Sequence, residues 1–425
     1  MLFNRMCHKS PLISLMGILL FSSWVTMLAQ TTGSTAKIQH TVLHSFGGSD
    51  GAKPVYAVIA GDAGSLYGTT ILGGKFGGGN IFKLTPQGSG YKETVIYNFT
   101  GGADGYGPWG LVADKDGALY GGTLAGGTGN CYAGCGTLYK LTPGKSGYTF
   151  SLLHTFQGPP SDAGEMASPL VFDKAGNLYG SGQLGAIFKL TRGKSGYTYS
   201  LIYTAEISPF GLAIDSHGAL YGTGGGGTGQ CGNEPCGQVF KLTPTKSGYV
   251  LRTLYSFKDY TDANNPVAPL TLDESTGAIY GTSQYGGSAD NGTVFKLTPS
   301  GSGYTETILY DFSQKPTLAA PMASVLLGPN GVLYSTAARR GGGCGGIGCG
   351  GVFQLAPSGS GYSFEIIYRF VIPLNGDGPE YNGLISDGSG TLYGATPFGG
   401  SKTDCYDGGP AQTKGCGTVY KLVLK

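Results

Sequence analysis

Apolar and polar positions alternate along the chain in short runs, and three apolar phrases recur in a fixed order. The first phrase is Leu-Tyr or Ile-Tyr, usually followed by Gly, and it occurs seven times, at Tyr67, Tyr120, Tyr179, Tyr221, Tyr280, Tyr334 and Tyr393. A run such as Val-Phe-Lys-Leu follows each copy, and a phrase of the form Leu-Tyr-x-Phe follows six of these runs. Short period-two runs of aromatic and β-branched residues are typical of β-strands. The pattern therefore predicts seven copies of one β-rich unit.

The third phrase has its seventh copy at the start of the chain, at residues 42–46, and none after the final Val-Tyr-Lys-Leu run at 419–422. In a closed ring, residues 41–46 would complete the seventh unit and cover an exposed sheet edge. Repeats of 42 to 59 residues with about four short strands each are typical of β-propellers. We therefore expect an all-β fold, a seven-bladed β-propeller over residues 41–425, whose N-terminal strand completes the last four-stranded blade. A linear solenoid is the alternative, but it leaves the displaced strand unexplained.

Strand a of each blade is predicted as the apolar run before the first turn, and strands b, c and d carry the three phrases in order. The a–b turn reads Asp-x-x-Gly, as at Asp114–Gly117, and the c–d turn reads Thr-Pro-x-x-Ser-Gly-Tyr, as at Thr142–Tyr148. Asp and Gly favour such turns because Asp accepts hydrogen bonds from nearby amides and Gly adopts positive φ. These short turns would share one side of the propeller, the a–b/c–d face. The variable b–c loops and d–a crossovers would form the b–c/d–a face, where we expect function to concentrate.

Two groups of residues on the b–c/d–a face are candidates for ligand binding. One is a set of crossover carboxylates that would form a partial ring for a cation or for sugar hydroxyls, or else a repeated turn: Asp50, Asp104, Asp162, Asp262 and Asp377. The other is a set of aromatic residues at the start of strand a, which would line the mouth of the central channel or pack in the core: Tyr56, Trp109 and Phe210. The pair Arg339 and Arg340, in the sixth b–c loop, would meet an anionic ligand or solvent.

Eight cysteines after the N-terminal segment form four pairs, in the b–c loops of blades two, four, six and seven: Cys131/Cys135, Cys231/Cys236, Cys344/Cys349 and Cys405/Cys416. An even count in an exported protein predicts disulfides. A zinc site would need two pairs to converge, which only blades six and seven allow. A thioredoxin-like motif would need two intervening residues and a following helix. We therefore expect four local disulfides.

Residues 1–30 are typical of a secretory signal peptide, since the apolar run 12–28 follows Arg5, His8 and Lys9, and residues 31–40 read as a linker. An uncleaved membrane anchor is the alternative, because the run is about long enough to span a bilayer. The formal net charge of +2, with 12% charged residues, gives no support to a nucleic-acid partner. No P-loop, HExxH or nucleophile elbow occurs in a suitable context, so no catalytic residues are assigned.

The combination of Leu-Tyr-Gly-Thr-Thr, a Gly-rich loop, Gly-Thr-Val-Phe-Lys-Leu and Ser-Gly-Tyr resembles the bacterial GloVer tandem repeat of "choice-of-anchor" exported proteins. The resemblance covers residues 41–425. It implies a surface or extracellular propeller and brings no established activity or catalytic residues. Because the last residues, 419–425, look like a strand and not a sorting tail, we expect release into the periplasm or the medium.

These observations favour a monomeric, secreted or periplasmic binding module that recognises a glycan, a peptide or a protein on the b–c/d–a face. No cofactor is predicted, apart from a cation that the central channel could bind. One alternative is a carbohydrate-active lyase or hydrolase with a carboxylate or cation site at the channel. A purely structural envelope protein is another.

Overall fold

The computed structural model describes residues 38–182, 185–204, 207, 209–313, 318–341, 348–371, 375–381, 383–402, 405 and 415–424. They form seven four-stranded antiparallel sheets, so the fold is the predicted all-β, seven-bladed propeller. The helical segments of these residues are two single 3-10 turns, Asp62–Gly64 and Pro329–Gly331. No helix in this part of the chain has the length and apolar character needed to cross a membrane. The predicted signal peptide, residues 31–37 of the predicted linker and Cys344 lie outside the described residues.

The strands follow the predicted order a, b, c, d in each blade. The a strands of blades 1 to 7 are Ile59–Ala60, Tyr106–Ala113, Val171–Phe172, Pro209–Ile214, Thr271–Asp273, Leu326–Leu327 and Ile385–Ser386. The b strands are Leu66–Thr70, Leu119–Ala125, Leu178–Ser181, Leu220–Gly224, Ala278–Ser283, Leu333–Ala337 and Thr391–Thr396. The c strands are Asn80–Gln87, Thr137–Gly144, Ala186–Gly193, Gln238–Thr245, Thr293–Ser300, Gly351–Ser358 and Thr418–Val423. The d strands are Gly90–Asn98, Gly147–Thr155, Gly196–Thr204, Gly248–Ser256, Gly303–Asp311, Gly361–Arg369 and, for blade 7, Gln39–Ser45.

Three two-stranded β-ribbons form within the loops of the b–c/d–a face. They pair Gln230–Cys231 with Glu234–Pro235, Ala263–Asn264 with Tyr285–Gly286, and Leu318–Ala319 with Arg339–Arg340.

The N-terminal strand closes the ring as predicted. Gln39–Ser45 pairs antiparallel with Thr418–Val423, from Gln39 opposite Val423 to Ser45 opposite Thr418. The strand starts at Gln39, within the segment that the sequence suggested as a linker. Phe46 is fully buried in a cluster that joins blade 7 to blade 1. The last blade is therefore built from both ends of the chain, and its outer edge is covered.

The recurring Leu-Tyr-Gly phrase reflects close packing between strands b and c. The ring of Phe82 in strand c lies over Gly68 in strand b, where an added Cβ would come within 2.4 Å of the ring. The same relation holds in blade 4, where a Cβ on Gly222 would lie 2.3 Å from Phe240. A side chain at either glycine would displace a fully buried ring. Glycine and the aromatic residue thus occur together because they share one volume.

The innermost strands of neighbouring blades touch through small residues. A Cβ on Gly110 would lie 2.9 Å from Pro169 in blade 3, and a Cβ on Gly383 would lie 2.7 Å from Ser324 in blade 6. Strand a therefore lines the central channel, and its first residues face the b–c/d–a side.

The a–b turns form as predicted, with Oδ1 of Asp114 accepting hydrogen bonds from the amides of Asp116 (3.0 Å) and Ala118 (2.9 Å).

Candidate ligand-binding site at the channel mouth

Three aromatic side chains meet where strand a begins in blades 7, 1 and 2. The rings of Tyr56 and Trp109 pack edge to face with centroids 4.7 Å apart. Tyr381 completes the group, with its ring centroid 6.2 Å from Tyr56 and 5.8 Å from Trp109. Tyr56 is buried, whereas Trp109 and Tyr381 are half-buried. We call these three residues the aromatic cluster. It contains two of the three predicted aromatic residues.

Polar atoms of the aromatic cluster are withdrawn from water. The Nε1–H group of Trp109 is buried and lies near the Tyr56 hydroxyl, without a well-formed hydrogen bond to any described residue. Burial raises the pKa of the Tyr56 hydroxyl far above its usual value. Because a buried donor without a well-formed hydrogen bond is costly, a ligand that supplied a better-placed acceptor to the indole would recover free energy. The third predicted aromatic, Phe210, lies half-buried in strand a of blade 4 and makes none of the ring contacts that join the cluster.

Two carboxyl groups lie beside the aromatic cluster in the d–a crossover that leads into strand a of blade 7. Burial, with the nearby negative charge of Glu380, raises the pKa of Asp377 to about 7. Burial also raises the pKa of Glu380, while the charges of Arg339 and Lys53 oppose that rise. The ammonium of Lys53 lies 5.2 Å from the centroid of the Phe398 ring. The mouth of the channel thus combines aromatic faces with two carboxyl groups that titrate above their usual range.

The other four predicted aspartates make the hydrogen bonds of a repeated turn. Each carboxylate accepts a hydrogen bond from the backbone amide that comes directly after the Phe at the end of strand d. The donors are Gly47 to Asp50 (2.6 Å), Thr100 to Asp104 (2.9 Å), Gln157 to Asp162 (3.0 Å) and Lys258 to Asp262 (3.0 Å). Each also bonds a ring of the same strand d: His44, Tyr97, His154 or Tyr255. These contacts tie the crossover to its own blade. Ligand binding by these four carboxylates stays a prediction.

The disulfides form in the b–c loops as predicted. Bonds join Cys131 to Cys135, Cys231 to Cys236 and Cys405 to Cys416. Cys349 is also disulfide-bonded, and its expected partner, Cys344, lies outside the described residues. Three of the second cysteines accept an amide of the next blade's crossover through their carbonyl: Cys236 from Asn265, Cys349 from Gly378 and Cys416 from Lys53. The disulfides therefore fix loops that hold the crossovers of the b–c/d–a face.

The predicted arginine pair lines a cleft between blades 5 and 6 on the same face. The cleft has a volume of about 260 Å³ and is bordered by Arg339, Arg340, Tyr285 and Asp290 among others. Arg339 of this cleft is close enough to Glu380, and Tyr285 is close enough to Tyr381, for each pair to interact electrostatically. The cleft thus adjoins the carboxyl groups at the channel mouth. Within the described residues, no three His, Cys, Asp or Glu side chains are close enough to hold a metal ion together.

Sequence reasoning missed Tyr381 and Glu380. A signal for both was present, because Pro379-Glu380-Tyr381 repeats the Pro-x-Tyr phrase that contains Tyr56, at the same place before strand a. Sequence could not show that the two phrases meet, since they lie near opposite ends of the chain and become neighbours only when the ring closes.

Comparison with known proteins identifies the repeat and the fold. A family profile described as "Gloeobacter/Verrucomicrobia repeat" matches residues 27–233 and 208–424. No functionally curated protein matches the sequence.

Solved structures resemble the chain over most of its length. A catalytically inactive virginiamycin B lyase from Staphylococcus aureus, solved with quinupristin, is 16% identical with a TM-score of 0.55, over 91% of this chain and 100% of that chain. A streptogramin B lyase gives the same identity and TM-score over 91% of this chain and 98% of that chain. The extracellular domain of a one-component system from B. thetaiotaomicron is 10% identical with a TM-score of 0.54, over 84% of this chain and 39% of that chain. At these identities the likeness concerns the fold alone.

Proposed function

The chain belongs to the Gloeobacter/Verrucomicrobia repeat family, and on that premise we propose that it is an exported binding module whose ligand docks at the channel mouth. Export is supported by the disulfides, which persist in oxidising compartments. The observation that carries the proposal is the meeting of Tyr56, Trp109 and Tyr381 from three blades. Aromatic side chains with a few polar groups beside them are typical of the lining of ligand sites.

A glycan is the ligand class that these groups favour over a peptide or a protein. A sugar ring offers an apolar face for Trp109 or Tyr381 and hydroxyl groups for the polar atoms around them. Its hydroxyls would accept from the Nε1–H of Trp109, which has no well-formed hydrogen bond among the described residues, and would bond the carboxyl group of Glu380. The contact to the indole would supply a paired partner to a buried donor.

Binding to a glycan array tests this function. We expect the intact protein to bind a restricted set of glycans, and Trp109→Ala, Tyr381→Ala and Glu380→Gln each to weaken that binding at least about tenfold, the loss of about 1.4 kcal/mol. Tyr132→Ala is the matched control, because Tyr132 is a fully exposed aromatic residue in the b–c loop of blade 2. If a ligand binds all three channel-mouth variants with unchanged affinity, its binding site does not lie at the channel mouth.

A carbohydrate-active lyase or hydrolase is the second candidate, favoured by the acid pair Asp377 and Glu380. A carboxyl group with a pKa of about 7 beside a second carboxyl group suits general acid–base chemistry at neutral pH. The two functions separate by turnover. If the protein releases product from a bound glycan, and Asp377→Asn abolishes this release while binding persists, the protein is an enzyme. Loss of turnover with EDTA would indicate that a metal ion takes part in the reaction. Saturable binding without product would support the binding module.

A further inference from the structure

Neighbouring blades meet on the a–b/c–d face in grooves that repeat one set of side chains. We call each groove a seam. A seam combines the Tyr of strand b and the Lys of strand c from one blade with the first Tyr of strand d from the next. Six seams carry the complete set: Tyr67/Lys83/Tyr148, Tyr120/Lys140/Tyr197, Tyr179/Lys189/Tyr249, Tyr221/Lys241/Tyr304, Tyr280/Lys296/Tyr362 and Tyr393/Lys421/Tyr91.

The seam between blades 6 and 7 differs from the others. There Tyr334 pairs with Gln354 instead of a lysine, and it packs near Ile38 instead of a tyrosine. This seam is the one where the next d strand comes from the N-terminal part of the chain. The fold therefore forms and closes without the set of three residues, and the propeller architecture by itself does not require the lysine.

Four of the six seam lysines contact a tyrosine ring and have no hydrogen-bond acceptor among the described residues. Their ammonium groups lie over the strand b tyrosine at 5.2 Å for Lys83, 5.3 Å for Lys140 and Lys189, and 5.4 Å for Lys296. Among the described residues these four have no carboxylate within ion-pairing distance and no hydrogen-bond acceptor. Each ammonium carries three donors, so these four seams each present a positive group that an acceptor on a ligand can reach.

Acceptors and donors of other kinds surround each lysine. Tyr148 donates to the hydroxyl of Tyr67 over 3.1 Å, and Tyr120 donates to the turn carboxylate of Asp114 over 2.9 Å. The seam between blades 4 and 5 opens into a cleft of about 240 Å³, lined by Tyr221, Lys241 and Tyr304 with Asp215. That volume is of the order needed for one small ring. The seam therefore offers a cation, phenol rings and a carboxylate around a cleft.

We propose that the six seams are repeated subsites for an acidic polysaccharide. In each subsite the lysine ammonium pairs with the carboxylate of a uronic acid unit, and the tyrosine hydroxyls and the turn aspartate bond the hydroxyls of the sugar. A charge-assisted hydrogen bond of this kind is stronger than a neutral one, which favours an acidic sugar over a neutral one. Other lysines of this face lie exposed in the adjacent turns, where Lys115 pairs with the carboxylate of Asp116: Lys115, Lys145, Lys174, Lys194 and Lys246.

One seam is less suited to an anion than the others. Lys241 already lies 2.6 Å from the hydroxyl of Tyr221 and 3.6 Å from Asp215, and Asp273 and Glu274 border the same cleft. We expect this subsite to be the weakest. Repetition compensates for weak single contacts, because a polymer bound at one subsite meets the next at a high effective concentration. A polymer should therefore bind far more tightly than its monomer.

Binding of polygalacturonate tests the proposal. We expect the intact protein to bind the polymer, to bind galacturonic acid monomer at least about a hundredfold more weakly, and to lose affinity when the carboxylates are methyl-esterified. The variant Lys83→Gln, Lys140→Gln, Lys189→Gln, Lys296→Gln copies the residue of blade 6 into four seams. Its affinity should fall at least about tenfold, with an unchanged melting temperature as the check on folding.

A matched control separates the seams from general charge. The variant Lys115→Gln, Lys145→Gln, Lys174→Gln, Lys194→Gln removes the same charge from exposed turns of the same face, and it should lose less than about threefold. An equal loss in the two variants, equal binding of the methyl ester, or no binding of polygalacturonate by the intact protein would each overturn the proposal. Trp109→Ala should leave polygalacturonate binding unchanged, so this inference and the channel-mouth function fail independently.

Discussion

The imidazole of His154 in blade 2 stacks on the phenol ring of Tyr199 in blade 3, with centroids 3.7 Å apart and planes 5° from parallel. Both rings bond one buried carboxylate: Nε2 of His154 lies 2.8 Å from Oδ2 of Asp162, and the hydroxyl of Tyr199 donates to Oδ1 over 2.5 Å. Asp162 therefore links the end of its own blade to the next blade as well as forming a turn.

The same stacked contact recurs at other blade boundaries near the outer strands. Tyr97 stacks on Phe150 at 4.5 Å, Tyr310 on Phe364 at 3.9 Å, and Tyr368 on His40 at 4.2 Å. Glu306 takes the equivalent place between blades 4 and 5, where Tyr255 donates to it over 3.3 Å. Offset aromatic pairs contribute about 0.5–1.5 kcal/mol beyond their burial. Each of these boundaries between blades is therefore stabilised by its own side-chain contact.

Replacement of Asp162 by Ala should destabilise the propeller strongly. The change leaves the amides of Gln157 and Ala163 and the hydroxyl of Tyr199 without their acceptor. Each buried group left unpaired costs about 1–3 kcal/mol, so we expect a loss of about 3 kcal/mol or more in the free energy of unfolding. Chemical denaturation measures it. Asp116→Ala, in an exposed turn, is the control and should have no effect; a loss below about 0.5 kcal/mol for Asp162→Ala would contradict the linking role.

Glu306 should make the stability of the protein depend on pH. Burial, and then the neighbouring carboxylate of Asp262, raise the pKa of Glu306 from 4.5 to about 9. Between these values the folded chain holds a proton that the unfolded chain has released, so stability should fall as pH rises from about 5 to about 9. Glu306→Gln removes this titration, and its advantage in melting temperature over the intact protein should therefore grow across that range.

Glu365→Gln is the control for this titration, because Glu365 lies on strand d of blade 6 and its carboxylate is exposed, accepting from Gln354 over 2.7 Å. Its melting temperature should follow that of the intact protein at every pH. A constant difference between Glu306→Gln and the intact protein from pH 5 to pH 9 would show that the Glu306 carboxyl group titrates normally.

Moving the closing strand to the other end of the chain should preserve the fold. Gln39 lies opposite Val423, so residues 424 and 38 take the places of Pro143 and Tyr148 in blade 2, and the turn Gly-Lys-Ser-Gly could join them and recreate the c–d hairpin of the other blades. We expect this rearranged chain to melt cooperatively near the intact protein. A chain that lacks residues 38–46 altogether loses the buried Phe46 and should fail to fold, by circular dichroism. Equal stability of the two would exclude the closure.

Removal of one local disulfide should lower stability without opening the ring. We expect Cys231→Ser with Cys236→Ser to cost about 2–3 kcal/mol, since the bond closes a loop of sequence separation 5 and restricts the unfolded chain. The hydrogen bond from Asn265 to the carbonyl of residue 236 should survive, because it involves the backbone. Chemical denaturation with and without reductant measures this loss. The double variant should no longer respond to reduction at this loop. An unchanged denaturation midpoint in the double variant would show that the Cys231–Cys236 bond does not contribute to stability.

Local pattern determined the blades, their turns and the closure. The units repeat the same order of phrases, because strand pairing and turn formation involve residues close together in sequence. Gly68 and Phe82 illustrate this, since they belong to one blade and their packing is encoded by one phrase. The displaced strand at residues 42–46 even predicted how the ring closes, because an unpaired edge has one complement in the chain.

Tertiary structure decided which residues from different blades share an environment. Tyr381 and Glu380 join Tyr56 and Trp109 only because blade 7 closes against blade 1. Glu306 looks like an ordinary strand residue in sequence, yet burial against the carboxylate of Asp262 in the preceding blade changes its proton affinity. Desolvation and charge depend on distances in space, and those distances are set by the ring. The sequence alone determined a seven-bladed scaffold, and contacts between its blades decided where a ligand site would lie.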